Sequence, residues 1–426
     1  MRRTILLVAM PGSIHVVRWI RQFGDQDFDI HLFPSTGGLV IHPELDDVIF
    51  HSPILPWAAR IANGVSAGPF GIFRKYFRAG QREPLGAMPR QDPTTRDSRK
   101  AELTLTQQLR QLIRQCVLER LVPNYRSQRL VRVIDKIRPD IIHSLEIQAA
   151  GCLTLEAKRR FRGTFPLWLV TNWGSDIFLF SRMHMHKARI QEVLANCDYY
   201  SCECERDIEL ARTFGFRGRT MPVFPNTGGF NLTSLEEARN KTRPSMRRLI
   251  MLKGYQNWAG RSLAGLRALA RCSDILAGYS IVIYLASPDV ELAAELFSSA
   301  TGVATRIVPH NTPHDEILAL HGQARISIGL SISDAISTSF LEALVMGSFP
   351  IQSCTACADE WIEHGTTGMI VPPEDPDIIE MAIRTALQND DLVDAAANVN
   401  WQTACDRLPQ DLLRRRATEM YSSLLE

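Results

Sequence analysis

Short apolar runs alternate with helically spaced stretches along most of the chain. Thr4 to Met10 is apolar, Pro11-Gly12-Ser13 breaks it, and Val17, Ile20 and Phe23 then recur at helical spacing. That order predicts a strand, a glycine loop and a helix. Further strands are expected at Asp29 to Phe33, Asp140 to His143, Leu167 to Thr171 and Met221 to Phe224, with a helical stretch ending in Lys136-Ile137-Arg138-Pro139 before the second of these. Asn231 to Arg248 is polar and charged and reads as a linker. The alternation then restarts, with strands expected at Leu249 to Lys253, Ser280 to Ala286, Thr305 to Val308, Ile326 to Leu330, Phe349 to Gln352 and Gly368 to Val371. Each is short, apolar and bounded by Gly, Pro or polar residues, as parallel strands buried on both faces should be. Trp401 to Leu425 predicts helix with a break near Pro409. The expected fold class is α/β: doubly wound parallel-sheet domains over 1–230 and 245–400, with a C-terminal helix over 401–426 that could pack back towards the first.

The length of 426 residues exceeds one comfortable core and fits this division. A hydrophobic share of 45% and a net charge of +2 describe an ordinary globular chain with no global argument for nucleic acid. No run reaches the roughly eighteen apolar residues of a membrane span. The opening Met1 to Gly12 imitates a short signal peptide, but Ile5 to Met10 is too short for its apolar core and reads as a first strand. Nine scattered cysteines argue against a disulfide framework and for a reduced, cytoplasmic compartment. Cys354 and Cys357 form a CxxC without a second ligand pair at a usable spacing, so a plain loop is expected. Cys202 and Cys204 alternate in strand-like sequence and read as packing residues.

Residues 53–100 carry no clear pattern. From Arg74 to Lys100 there are eight basic and three acidic residues, with Phe70, Phe73, Tyr76 and Phe77 beside the first of them. Such a segment, 70–100 above all, suits the inner face of an anionic membrane or an anionic acceptor, and equally a solvated loop.

In open parallel sheets, ligands bind on the loops leaving the carboxyl ends of the strands. In the second half these are Gly254-Tyr255, Ala286-Ser287, His310, Ser331 to Asp334 and Ser353 to Glu360. The most informative is Ser331 to Leu344: a strand ends, a polar loop holds Asp334, and a helix beginning near Thr338 carries Glu342. N–H groups at a helix N-terminus attract phosphate, and Ser337, Thr338 and Ser339 add hydroxyl donors. Carboxylates there can accept hydrogen bonds from sugar or ribose hydroxyls. Phosphate donors beside hydroxyl acceptors describe a nucleotide-sugar site. Singly, Asp334 reads as well as a helix N-terminal charge, and Glu342 as a solvent-exposed helical residue.

The segment from Ser331 to Pro376 resembles the donor-site signature of the family 4 retaining glycosyltransferases. That pattern is an acidic residue, seven others and a glutamate, followed by A-M-x-x-G-x-P-V-I, a turn, a glutamate, and E-x-G-x-x-G-x-x-V-P-P-x-D-P. Here stand Asp334 and Glu342, Ala343 to Ile351, Glu360, and Glu363 to Pro376. Arg138 to His143, Gly174-Ser175-Asp176 and Pro225-Asn226 resemble further family turns. The chain departs from the pattern with Asp334 in place of glutamate, Lys253 to Arg261 in place of G-R-x-x-x-x-K-G, Ala356 to Asp359 in place of Gly-Gly, and Pro11 to His15 in place of the N-terminal glycine loop.

The resemblance implies the GT-B fold, two Rossmann-like domains facing a cleft, and sugar transfer with retention from a nucleotide-diphosphate donor, a UDP-sugar favoured. The acceptor would be a glycan or lipid-linked hydroxyl. The nucleotide sugar is a co-substrate, no cofactor is implied, and no DxD-like metal motif stands out. In that scheme Glu342 holds the ribose and Asp334 the donor sugar. Lys253, Gly254 and Arg261 face the diphosphate with Ser337, Thr338 and Ser339. Gly12, Ser13, His15 and Asn172 lie on the acceptor side, and His143 and Asp176, on first-domain loops, orient the reacting groups. Trp258 can stack on a base or sugar, or serve as a lid or core residue. A nucleotide-sugar epimerase on the same plan and a non-catalytic sugar-nucleotide binder are the competing readings. A dehydrogenase is disfavoured, since no G-x-G-x-x-G follows a strand.

Overall fold

The computed structural model describes residues 2–23, 28–36, 41–45, 48–52, 124–239 and 241–425. The basic segment 70–100 lies outside the described residues.

Two compact units are formed, one from residues 1–13, 27–144 and 149–166, the other from 14–26, 145–148 and 167–426. In the first, β1 (Arg3–Ala9), β2 (Phe28–Pro34), β3 (Ile49–Phe50) and β4 (Ile141–Leu145) lie parallel. Ile5 to Ala9 are fully buried, as a run of unbroken apolar residues requires. Asp140 sets where β4 begins: its carboxylate accepts the Thr4 N–H at 2.8 Å and pairs with Arg3. The helix before it, α2 (Tyr125–Ile137), stops at Arg138, which takes a left-handed conformation ahead of Pro139. α3 (Cys152–Arg160) completes this unit.

His143 sits inside β4, opposite Leu7, and is fully buried. Desolvation pushes its pKa down to about 3. It is a neutral core imidazole, not the loop residue the sequence suggested.

The second unit begins with α1 (Ile14–Arg21), which buries Val16, Val17, Trp19 and Ile20. It continues through β5 (Leu167–Thr171), α4 (Ser175–Phe178), α5 (His184–Asn196), β6 (Tyr199–Ser201), α6 (Glu205–Thr213) and β7 (Arg219–Thr220). The first sheet reads β3-β2-β1-β4-β5-β6-β7. The strand expected at Met221 to Phe224 is displaced to Arg219–Thr220. Met221 keeps one ladder bond, to the Tyr200 carbonyl, and Pro222, with no N–H of its own, interrupts the run.

The polar linker is partly helical. Asn231 accepts the Ser234 N–H and caps α7 (Leu232–Ala238), whose Leu232 and Leu235 pack on the core around Leu341, Leu344 and Leu408. The second sheet follows, built from β8 (Leu249–Lys253), α8 (Ser262–Arg271), β9 (Ser280–Tyr284), α9 (Pro288–Thr301), β10 (Ala304–Val308), α10 (His314–Gln323) and β11 (Ala324–Gly329). It closes with α11 (Thr338–Met346), β12 (Phe349–Ser353), β13 (Met369–Val371) and α12 (Pro376–Gln388). All six strands are parallel, in the order β10-β9-β8-β11-β12-β13.

The chain ends in α13 (Asp390–Arg407) and α14 (Gln410–Ser423), separated at Pro409 as expected. Trp19 of α1 donates its indole N–H to the Tyr421 hydroxyl of α14 at 2.9 Å, with Phe224 stacked on Trp19 and Phe23 edge-on to Tyr421. A strap at Phe230 bonds to Leu408 and Gln410 and fixes where α14 starts. Gly229 makes the strap possible. Its φ is +70°, and a Cβ there would stand 2.6 Å from the Leu408 carbonyl oxygen.

Candidate active site

The second sheet delivers two loops to one place. β8 ends at Lys253, and Gly254 turns the chain so close to β9 that a Cβ would lie 2.6 Å from Ala286 Cα. Backbone faces backbone there, so neither side can yield cheaply. Gly254→Ala is therefore expected to cost about 1–3 kcal/mol of stability by overpacking, read from urea denaturation.

Lys253 reaches across to the loop after β11. Its Nζ donates to Ser337 Oγ at 3.1 Å and lies 4.7 Å from the Tyr255 ring centre. Ser337 is the N-cap of α11, but its hydroxyl makes no capping bond and instead meets Lys253 and Ser339 Oγ, the latter at 3.0 Å. The N–H groups of Thr338 and Ser339 find no acceptor among the described residues. A primary amine, two clustered hydroxyls and open helix N–H groups make a cradle for a phosphate oxygen.

One turn into α11, Glu342 is buried at 5% exposure, which overturns its reading as a solvent-facing residue. His314 Nε2 bonds Oε1 at 2.7 Å, and His321 Nε2 lies 3.7 Å from Oε2. Behind it, His321 Nδ1 bonds Ser327, which bonds Ser348. Desolvation by itself raises the Glu342 pKa, but the His314 bond, the His321 field and the Arg18 charge together outweigh it, leaving the carboxyl below its ordinary value and ionised. Burial holds His321 down at about 4, hence neutral. Both histidines escaped the sequence reading. Their spacing of seven on a helix, which puts them on one face of α10, was the available sign.

Asp334 lies on the loop between β11 and α11. Its Oδ1 accepts the Ala335 N–H at 3.0 Å, and Arg206 donates to its carbonyl and to that of Thr355. The loop containing Gly174 runs against it: a Cβ at Gly174 would stand 2.9 Å from Asp334 Oδ1. Any side chain there displaces the carboxylate, a positioning role the sequence did not disclose. His15 joins this group, its ring 5.5 Å from that of Trp173. Its edge stays solvent-accessible, yet surrounding protein desolvates the ring and, with the Arg18 and Lys253 charges, lowers its pKa against the pull of Asp334.

Other expected site residues go elsewhere. Asn172 is fully buried between Tyr200 and Asp207, bonded to both. Asp176 accepts the N–H groups of Trp173 and Ile147 and is buried, so it pins two loops. Burial and the nearby Glu146 charge raise its pKa well above the carboxylate range. Neither is turned outward to meet a ligand. Arg261 is committed to Glu374 and to the carbonyls of Asn257 and Gly260, closing the loop before α8. Gly12 and Ser13 form the turn after β1 in the first unit, with the Ser13 N–H bonded to Met10. Trp258 is 60% exposed and stacks on Phe180, so it is no core residue.

The CxxC loop is less plain than its spacing implied. Cys204, Cys357 and Glu360 place potential metal-ligand atoms within 4.8 Å of one another. Both Glu360 oxygens already accept N–H groups, from Glu205 and Arg206 at the start of α6. Cys204 is held as a thiol by its hydrogen bond with the free Cys357 and by burial.

Residues 291–400 match the family model described as glycosyl transferases group 1, and residues 121–201 match that of glycosyl transferase 4-like proteins. No curated protein sequence matches the chain. Solved structures with the same fold include sucrose-phosphate synthase from Thermosynechococcus elongatus (TM-score 0.65, 15% identity, 99% of each chain) and a glycosyltransferase from Rickettsia africae (0.62, 16%, 100% of this chain and 99% of that one). Anabaena HepE in complex with UDP-glucose is a third (0.61, 12%, 99% of each). The two doubly wound sheets are thus the GT-B fold. The group 1 match takes in Glu342 and the motif around it.

Proposed function

We propose that the protein transfers a sugar from a UDP-sugar to a glycan or lipid-linked hydroxyl, with retention and without a metal ion. The donor is assigned to 245–400 and the acceptor side to 1–230. The carrying observation is a phosphate cradle at the start of α11 with an ionised, buried carboxylate one turn further on. A nucleotide diphosphate and its ribose call for those two chemistries side by side. HepE, which shares the fold, is solved with UDP-glucose, and this supports the choice of donor.

In the proposed reaction the acceptor oxygen bonds to the anomeric carbon as the bond from that carbon to the diphosphate oxygen breaks. The acceptor proton passes to the departing phosphate on the same face, which gives retention. Lys253 and the α11 N–H groups offset the charge growing on the diphosphate. Glu342 accepts the ribose hydroxyls, while Asp334 and the largely neutral His15 hold sugar hydroxyls. The basic composition of 74–100 supports an anionic or membrane-borne acceptor at the cytoplasmic face.

Incubating the protein with UDP-sugars and candidate acceptors in excess chelator, and reading the product's anomeric coupling by NMR, tests this. The expected product keeps the donor's configuration at an undiminished rate. An inverted product overturns retention, loss of turnover on chelation overturns metal independence, and epimerised donor without acceptor overturns transfer.

A further inference from the structure

A cavity of about 210 Å³ opens beside Thr338 and His314, between the C-terminal end of α1 and the start of α14. Arg18 and Arg21 of α1 and Gln22 just after it line one side, and Gln410 and Arg414 of α14 line another. The Trp19–Tyr421 bond locks those two helices together, and the glycine strap at 228–229 also lines the cavity. The walls are therefore fixed by packing.

Its lining carries three guanidiniums and no carboxylate. Arg18 has no acidic partner among the described residues, and its charge is felt by both His15 and Glu342. Two polar atoms there also stay unsatisfied. Gln22 is 4% exposed with its Oε1 unpartnered, and the buried Thr227 hydroxyl has no acceptor. The Thr227 hydroxyl can donate to a ligand, while the Gln22 amide nitrogen donates to the Asn226 carbonyl at 3.4 Å. An anion in the pocket would face three guanidiniums, and one that accepts several hydrogen bonds fits them best.

We propose that this cavity is a second anion subsite, taking a phosphate group held by Arg18, Arg21 and Arg414 beside the nucleotide carboxylate. It adjoins the Lys253–Ser337 cradle at Thr338 but draws its cations from α1 and α14, and it rests on the donor-site reading only for the source of the phosphate. That source is either the donor's diphosphate or a phosphorylated acceptor.

Calorimetric titrations of the full chain with pyrophosphate, UDP, uridine and glucose 6-phosphate test it, in the wild type, Arg414→Gln and the double variant Arg18→Gln/Arg414→Gln. Urea denaturation certifies each fold, and Arg414→Lys is the charge-preserving control. Pyrophosphate is expected to bind the wild type and to lose affinity by about tenfold or more in the double variant. A parallel loss for UDP but not uridine assigns the subsite to the donor. A loss for glucose 6-phosphate with UDP unchanged assigns it to a phosphorylated acceptor. Phosphate affinities equal in wild type and double variant, or no binding of any phosphate, overturn the subsite. UDP binding that depends on Glu342 but ignores both arginines leaves the donor reading intact and removes only this proposal.

Discussion

Glu342→Ala is expected to weaken UDP binding by about 10- to 100-fold, the cost of removing a charged hydrogen-bond acceptor from buried donors. Isothermal titration measures it, with urea denaturation as the fold control. The carboxylate is buried and held in place by His314. Glu342→Gln keeps the shape and removes the charge, so it separates geometry from electrostatics. The pH dependence follows from the depressed pKa. A carboxyl lowered on folding contributes stability that is fully present above its unfolded value and is lost as pH falls through the folded one. The stability gap between wild type and Glu342→Gln should therefore be complete at neutral pH and close below the ordinary glutamate range. A gap that widens with acid contradicts the assignment.

Lys253→Ala is expected to lower kcat by about 10²- to 10³-fold, the typical loss when one preorganised donor to a developing charge is removed. Lys253 is anchored by Ser337 and sits over Tyr255, so its ammonium is positioned before the donor arrives. The charge it faces is largest as the diphosphate leaves, so kcat should suffer more than KM. Steady-state kinetics with a saturating acceptor reads the split. An unchanged kcat with a raised KM would reduce Lys253 to ground-state binding.

The strands of both sheets were legible because parallel strands buried on both faces leave continuous apolar runs, as at Ile5 to Ala9 and Ile250 to Leu252. The exceptions have local causes. Pro222 cuts short the strand expected at Met221, and the Asn231 cap with Leu232 and Leu235 makes a helix of a stretch whose charge reads as linker. At the site, spacing placed Asp334, Glu342 and Ser337 to Ser339 on one loop and helix, where they stand. Orientation is not encoded that way. His143, Asn172 and Asp176 sit in or beside strands, yet all three turn into the protein, because burial depends on partners such as Tyr200 and Asp207. Cys204 and Cys357 meet across 153 positions of sequence, a pairing no local pattern announces. The same holds for Arg18 and Arg414, whose meeting depends on how Trp19 packs against Tyr421.

The most direct test of the donor site is calorimetric titration of the full-length protein with UDP, GDP and ADP in excess chelator. The account predicts saturable, metal-free binding of UDP above the other two, with affinity lost in Glu342→Ala. Failure of all three nucleotides to bind a folded protein, with or without metal, would contradict it.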